Sequence, residues 1–273
     1  MEDPSPCLVV KDADGAELDS IPESELPDLA NVAWSPVDDR FCFTAASEEE
    51  TYLYVYTVAE RRYRQVGGGP AILPQWSPDG RYLACVRKED PPAKVPSRLR
   101  WRHGPILALD ARSDFRPAFT ADGLCTDPCS SPDSARLAFE RVRKDEFGDY
   151  GTRDLCVADL SSGRVRELLS SRRRIEWVWA SGEALAATTC DRYGVPTLSL
   201  LHLDGTRAPL VTARDYDRLT PLEYEARAGR VIYRATTGAS DWRGELWEAR
   251  SGRPAARLPA DDPAHTRHSR EEE

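Results

Sequence analysis

The sequence predicts an all-β fold assembled from repeated four-stranded antiparallel units. Three observations predict it: a strand–turn–strand motif that recurs along the chain, a second pair of alternating strands behind each copy, and turn residues that close each segment. The motif is sharpest at Gln75-Trp76-Ser77-Pro78-Asp79-Gly80-Arg81-Tyr82-Leu83-Ala84-Cys85-Val86. Pro78 sets φ near the turn value, Asp79 can bond its own backbone, and Gly80 accepts a positive φ.

The copies follow in order. Trp34-Ser35-Pro36 opens the first, with Arg40-Phe41-Cys42-Phe43 as its next strand. Trp76-Ser77-Pro78-Asp79-Gly80 opens the second, and Ser131-Pro132-Asp133 the third, with Arg136-Leu137-Ala138-Phe139 behind it. Trp179-Ala180-Ser181-Gly182 opens the fourth. In the fifth, Tyr224 takes the tryptophan place and Gly229 to Tyr233 supplies turn and strand. Each copy has a second half. Tyr52 to Tyr56 and Arg62 to Val66 serve the first, while Asp154 to Leu160 and Arg164 to Leu169 flank a Ser162-Gly163 turn in the third. Thr197 to Leu203, an Asp204-Gly205 turn and Ala208 to Val211 serve the fourth, and Glu245 to Ala249, Ser251-Gly252 and Ala255 to Leu258 the fifth.

Four strands in about 40 to 50 residues is the period of a β-propeller blade. The Trp-Ser-Pro-Asp-Gly turn with an apolar strand behind it, followed by a strand ending in an Asp-x-x-Gly-type turn, resembles the TolB-type, WD40-like (PD40) propeller repeat. The resemblance runs over residues 30–258. It implies a single propeller domain over 1–259, with blades at 31–66, 74–120, 128–169, 175–212 and 220–258. Residues 7–21, with an Asp14-Gly15 turn, read as the outer hairpin of a further half-blade, giving five or six blades. The aromatic groups Trp34, Trp76 and Trp179 are expected to wedge between adjacent blades, each burying a large surface. Trp34, Ser35, Pro36, Trp76, Ser77, Pro78, Asp79, Gly80, Ser131, Pro132, Asp133 and Trp179 are thus read as structural. Residues 260–273 are polar and expected to be disordered.

The charge balance narrows the partners. A net charge of −9 over 273 residues argues against nucleic acid, which needs a basic face. No secretory leader and no apolar run of spanning length are evident, so no membrane insertion is expected. The seven cysteines have no framework spacing, and several lie in strands where a reduced thiol packs as a small apolar group. A cytoplasmic monomer is expected, or an exported protein if the true start lies upstream; exported relatives are common in the TolB-type family.

The long excursions, 88–104 and 141–153, are loops between the second and third strands of a repeat. In propellers such loops gather on one face, where function concentrates. Arg98, Arg100, Trp101, Arg102 and His103 are the candidate binding residues. Guanidinium forks suit carboxylates and phosphates, and Trp101 offers a stacking face. The competing reading is a solvated loop with Trp101 folded back on its blade. Arg172-Arg173-Arg174 reads as a solvated turn or a second anion contact. Asp145, Glu146 and Asp149 lack the spacing of a calcium loop, Asp12-Ala13-Asp14-Gly15 reads as a hairpin turn, and Cys125-x3-Cys129 lacks the second pair of a zinc site. No metal or cofactor is expected.

No nucleophile-elbow motif is present, and no catalytic residue is assigned. The leading expectation is a non-catalytic protein-binding or scaffold module that presents its long loops to a protein partner. The alternative is a propeller glycosidase or lyase that uses channel carboxylates, for which the innermost strands carry Asp127, Glu176 and Glu223. A regulatory relic of a prolyl-oligopeptidase-type propeller is the third.

Overall fold

The computed structural model describes residues 6–22, 24–47, 50–89, 95–96, 99, 102–144, 149–237 and 244–259. The described residues are almost all strand, turn or bend. They form two compact units, one from 1–142 with 157–165 and one from 143–156 with 166–273.

The first unit opens with a hairpin of β1 (Pro6–Lys11) and β2 (Glu17–Pro22), closed by Asp12, whose carboxylate accepts the Asp14 and Ala16 N–H groups at 3.0 and 2.9 Å. Antiparallel strands follow in sequence order: β3 (Ala30–Trp34), β4 (Arg40–Ser47), β5 (Glu50–Thr57), β6 (Arg62–Trp76), β7 (Tyr82–Arg87), β8 (Gly104–Asp110), β9 (Arg116–Ser130) and β10 (Arg136–Lys144). Period-2 alternation on β4 and β5 buries both faces. Phe41, Phe43, Tyr54 and Tyr56 pack toward Val10 and Ile21 of the hairpin, while Cys42, Leu53 and Val55 pack toward Trp76, Leu83 and Cys85 of the next repeat. Burial drives the Cys42 and Cys85 thiols up to about 12, so both behave as apolar groups.

The sequence reads residues 67–73 as a connection between two strands. The structure makes β6 one strand of 15 residues. Its first part pairs with β5 in one sheet and its last part with β7 in the next. Positive φ at Gly67 (85°) and Gly68 (68°) marks a bulge within the β5 pairing, and at Leu73 (53°) one within the β7 pairing, so the strand bends on either side of the change of partner without ending. β9 does the same, with Gly123 at φ 103° in the β8 pairing and Asp127 at φ 52° in the β10 pairing.

The Ser-Pro-Asp-Gly turn closes through side chains. Ser77 Oγ donates to Asp79 at 2.7 Å and accepts the Tyr82 N–H at 2.8 Å, while Asp79 accepts the Arg81 N–H at 3.0 Å. Ser131, Asp133 and Arg136 repeat this arrangement, and Ser134 adopts the left-handed φ of 60° that Gly80 holds at 65°. The Asp79 N–H donates to Ser134 Oγ at 3.0 Å, tying the second turn to the third.

Trp34 departs from the expectation of a wedge. Trp76 is 7% exposed and its indole N–H donates to the Ala33 carbonyl of the preceding repeat at 3.2 Å. Trp179 is 6% exposed, but Trp34 is 56% exposed. The β1–β2 hairpin packs on Phe41 and Phe43, and among the described residues Trp34 makes one close ring contact, with Phe41 at 4.9 Å.

The second unit holds two four-stranded sheets. One runs β13 (Glu176–Ser181), β14 (Ala184–Cys190), β15 (Pro196–His202) and β16 (Arg207–Thr212). The other runs β17 (Arg218–Glu225), β18 (Arg230–Thr236), β19 (Glu245–Ala249) and β20 (Ala256–Arg257). Ala186, Leu198, Leu219, Val231 and Tyr233 form the core between them, with Tyr224 half-buried at its edge. β12 (Val165–Ser171) precedes these sheets, and β11 (Tyr150–Asp159) contributes residues to each unit.

Candidate functional site

Of the five candidate binding residues, Arg98, Arg100 and Trp101 lie outside the described residues. Within the excursion that carries them, Val95 and Leu99 are each 2% exposed. Arg102 stays exposed and faces Asp127 at 3.5 Å, and His103 is half-buried at the start of β8. Asp145 and Glu146 also lie outside the described residues.

The inner-strand acids that would serve a hydrolytic or lyase reaction are engaged with arginine where their partners are seen. Asp127 meets Arg102. Glu176 on β13 is held by Arg218 of β17 and by Arg174 at 3.5 Å. Both guanidinium groups meet the same oxygen of the Glu176 carboxylate.

The second unit contains an open cavity of about 490 Å³ where β12 meets the Cys190–Pro196 turn and the outer strand β16. Ser170 on β12 forms one wall. Its hydroxyl is held by Asp154, which is fully buried and ion-paired with Arg143. Across the cavity, Arg207 donates to Ser199 at 3.2 Å and to Thr189 at 2.6 Å. These partners are neutral hydroxyls, and Arg207 itself is exposed. The half-buried Arg230 is by contrast matched to Glu225 and Glu248, both at 2.6 Å.

The basic triplet divides into three environments. Arg174 turns to Glu176. Arg173 lies against Gly194, where an added Cβ would sit 3.0 Å from its guanidinium, and beside the Cys190 thiol. Burial raises that thiol's pKa, and the Arg173 charge and hydrogen bond oppose the rise. Arg172 lines the cavity with an exposed side chain.

Sequence reasoning placed a possible anion contact at the triplet but missed Arg207, Thr189 and Ser170. A signal was present. Thr188-Thr189-Cys190 breaks the apolar run Ala184 to Ala187, and Arg207 interrupts a strand edge. What it lacked was the pairing that sets Thr189 opposite Thr197 and Leu201 opposite Arg207.

No family model matches the chain, and no curated protein matches it. Solved structures do. The β-propeller domain of the Trilobed protease from Pyrococcus furiosus, reported as an open velcro topology, is 12% identical over 86% of this chain and 72% of its own, with a TM-score of 0.60. Pyrococcus horikoshii acylaminoacyl peptidase is 13% identical over 86% of this chain, with a TM-score of 0.60, and the chain spans 39% of that enzyme's length. A provisionally assigned TolB from Agrobacterium tumefaciens is 17% identical over 89% of this chain and 83% of its own, with a TM-score of 0.53. At such identities the likeness is one of fold, and the fold it indicates is that of β-propeller proteins, peptidase-linked and TolB-like alike.

Proposed function

We propose that the chain is a TolB-like, WD40-like β-propeller of five or six blades that acts as a non-catalytic protein-binding module, through the loops between the second and third strands of its repeats. The observation that supports this reading is the cavity beside the Cys190–Pro196 turn, one of those loops. It is open, polar and furnished with a guanidinium group held by hydroxyls. Such a group offers recognition of an anionic partner. The pairing of Asp127 and Glu176 with arginine weighs against the glycosidase or lyase alternative.

The test is a pull-down from native lysate with the wild-type chain and a variant carrying Arg98→Ala, Arg100→Ala, Trp101→Ala and Arg102→Ala, both shown folded by circular dichroism. A protein retained by the wild type and lost with the variant is the expected result. Turnover of an oligouronide or peptide by the wild type, abolished by Glu176→Gln, would overturn it.

A further inference from the structure

The charges around the cavity point to the class of ligand. Arg207 is positioned by Ser199 and Thr189, and among the described residues no carboxylate pairs with it. Arg172 forms no hydrogen bond or ion pair with the described residues and lies at the cavity wall. The acid that lines the cavity, Asp191, is committed elsewhere: it accepts the Tyr193 N–H at 2.8 Å and the Val195 N–H at 2.9 Å within its own turn. Behind Ser170, Asp154 and Glu167 share Arg143 and the Ser170 hydroxyl. Among the residues that line the cavity, Arg172 and Arg207 stand against Asp191, which leaves the lining one positive charge. That balance suits a monoanion and disfavours a dianion, which would meet Asp191 at close range.

We propose that this cavity binds a carboxylate, and that the carboxylate is an acidic side chain of an extended peptide. A carboxylate takes a two-pronged bond from a guanidinium fork, and Arg207 is oriented in advance by its two hydroxyl contacts. The volume of about 490 Å³ exceeds one carboxylate and admits the backbone that carries it. The inference rests on the reading of this loop as a binding surface, and it adds the chemistry of what is bound.

The experiment is fluorescence anisotropy of the full chain with a labelled, end-blocked tetra-aspartate peptide, set against the tetra-asparagine peptide and inorganic phosphate as a competitor. The aspartate peptide is expected to bind at least tenfold more tightly than its amide counterpart. Arg172→Ala should weaken it about tenfold without affecting the fold, because Arg172 supports no other described residue. Arg207→Lys, which keeps the charge and loses the fork, should cost a similar factor. Occupancy should also slow alkylation of Cys190, read by peptide mass mapping. Equal binding of the two peptides, indifference to Arg172→Ala, or displacement by phosphate at concentrations equal to the peptide would each overturn the proposal. If the lysate partner still binds the Arg172→Ala chain while the tetra-aspartate peptide does not bind the wild type, the carboxylate site fails and the binding-module reading stands. If neither partner nor peptide binds, both fail.

Discussion

Ser77 and Ser131 each spend one hydroxyl on two jobs, donating to the turn aspartate and accepting the N–H five residues on. Removing either oxygen leaves a buried N–H without its partner. Ser77→Ala and Ser131→Ala should therefore each cost roughly 1–3 kcal/mol in chemical denaturation, despite the small change in volume. Gly80 is constrained twice, by φ 65° and by Val37, whose methyl lies 2.2 Å from where a Cβ would stand. Asp159 works through charge. The Ser161 hydroxyl, with the Ser162 N–H and hydroxyl, holds its carboxyl at about 2 against an ordinary 3.8. Since the folded value lies below the unfolded one, this contribution is complete above about 3.8 and disappears as pH falls toward 2. Asp159→Asn should remove that part of the acid sensitivity, which is measured as the change in unfolding midpoint between pH 4.5 and 2.

At the scale of the strand, two tryptophans with the same sequence context have different consequences. Trp76→Ala empties a filled contact against the preceding repeat and should cost roughly 3–5 kcal/mol. Trp34→Ala removes one ring contact, with Phe41, and should cost about 1 kcal/mol. Equal losses on denaturation would mean that Trp34 is buried in solution. The sequence pattern reveals both as repeat aromatics because Trp-Ser-Pro is a local signature. It does not reveal which one has a neighbour, because that depends on what precedes the copy. The same divide explains the rest. Alternation and turn chemistry made the strands and the hairpin legible, since both are short-range. The bend that carries β6 through Gly67 and Gly68 was not legible, because a glycine run reads equally as a connection or as a bend inside a strand. The Arg207–Thr189 contact was not legible either, because it joins residues 18 apart across the sheet.

For the molecule as a whole, the cysteines give a map of what opens first. Cys42, Cys85, Cys125 and Cys156 are buried, whereas Cys129 and Cys190 are half-buried. Under native conditions a maleimide should modify Cys190 and Cys129 ahead of the buried four, which should react only as fast as their unit unfolds. Mass mapping over time checks this, and early labelling of Cys42 or Cys85 would contradict the packing of the first unit. The shared strands have a further consequence. Because β6 and β9 each belong to two sheets, the boundary between neighbouring repeats falls inside a strand and not in a turn. A truncation or domain graft cut just after residue 70 would part β6 between its β5-paired and β7-paired segments, so no cross-strand ladder would be divided between the fragments. Cuts placed instead in the Trp76–Tyr82 or Ser130–Arg136 turns would put β6 and β7, or β9 and β10, on different fragments and leave each with a raw sheet edge, so an exposed turn is here a worse place to divide the chain than the middle of a long strand.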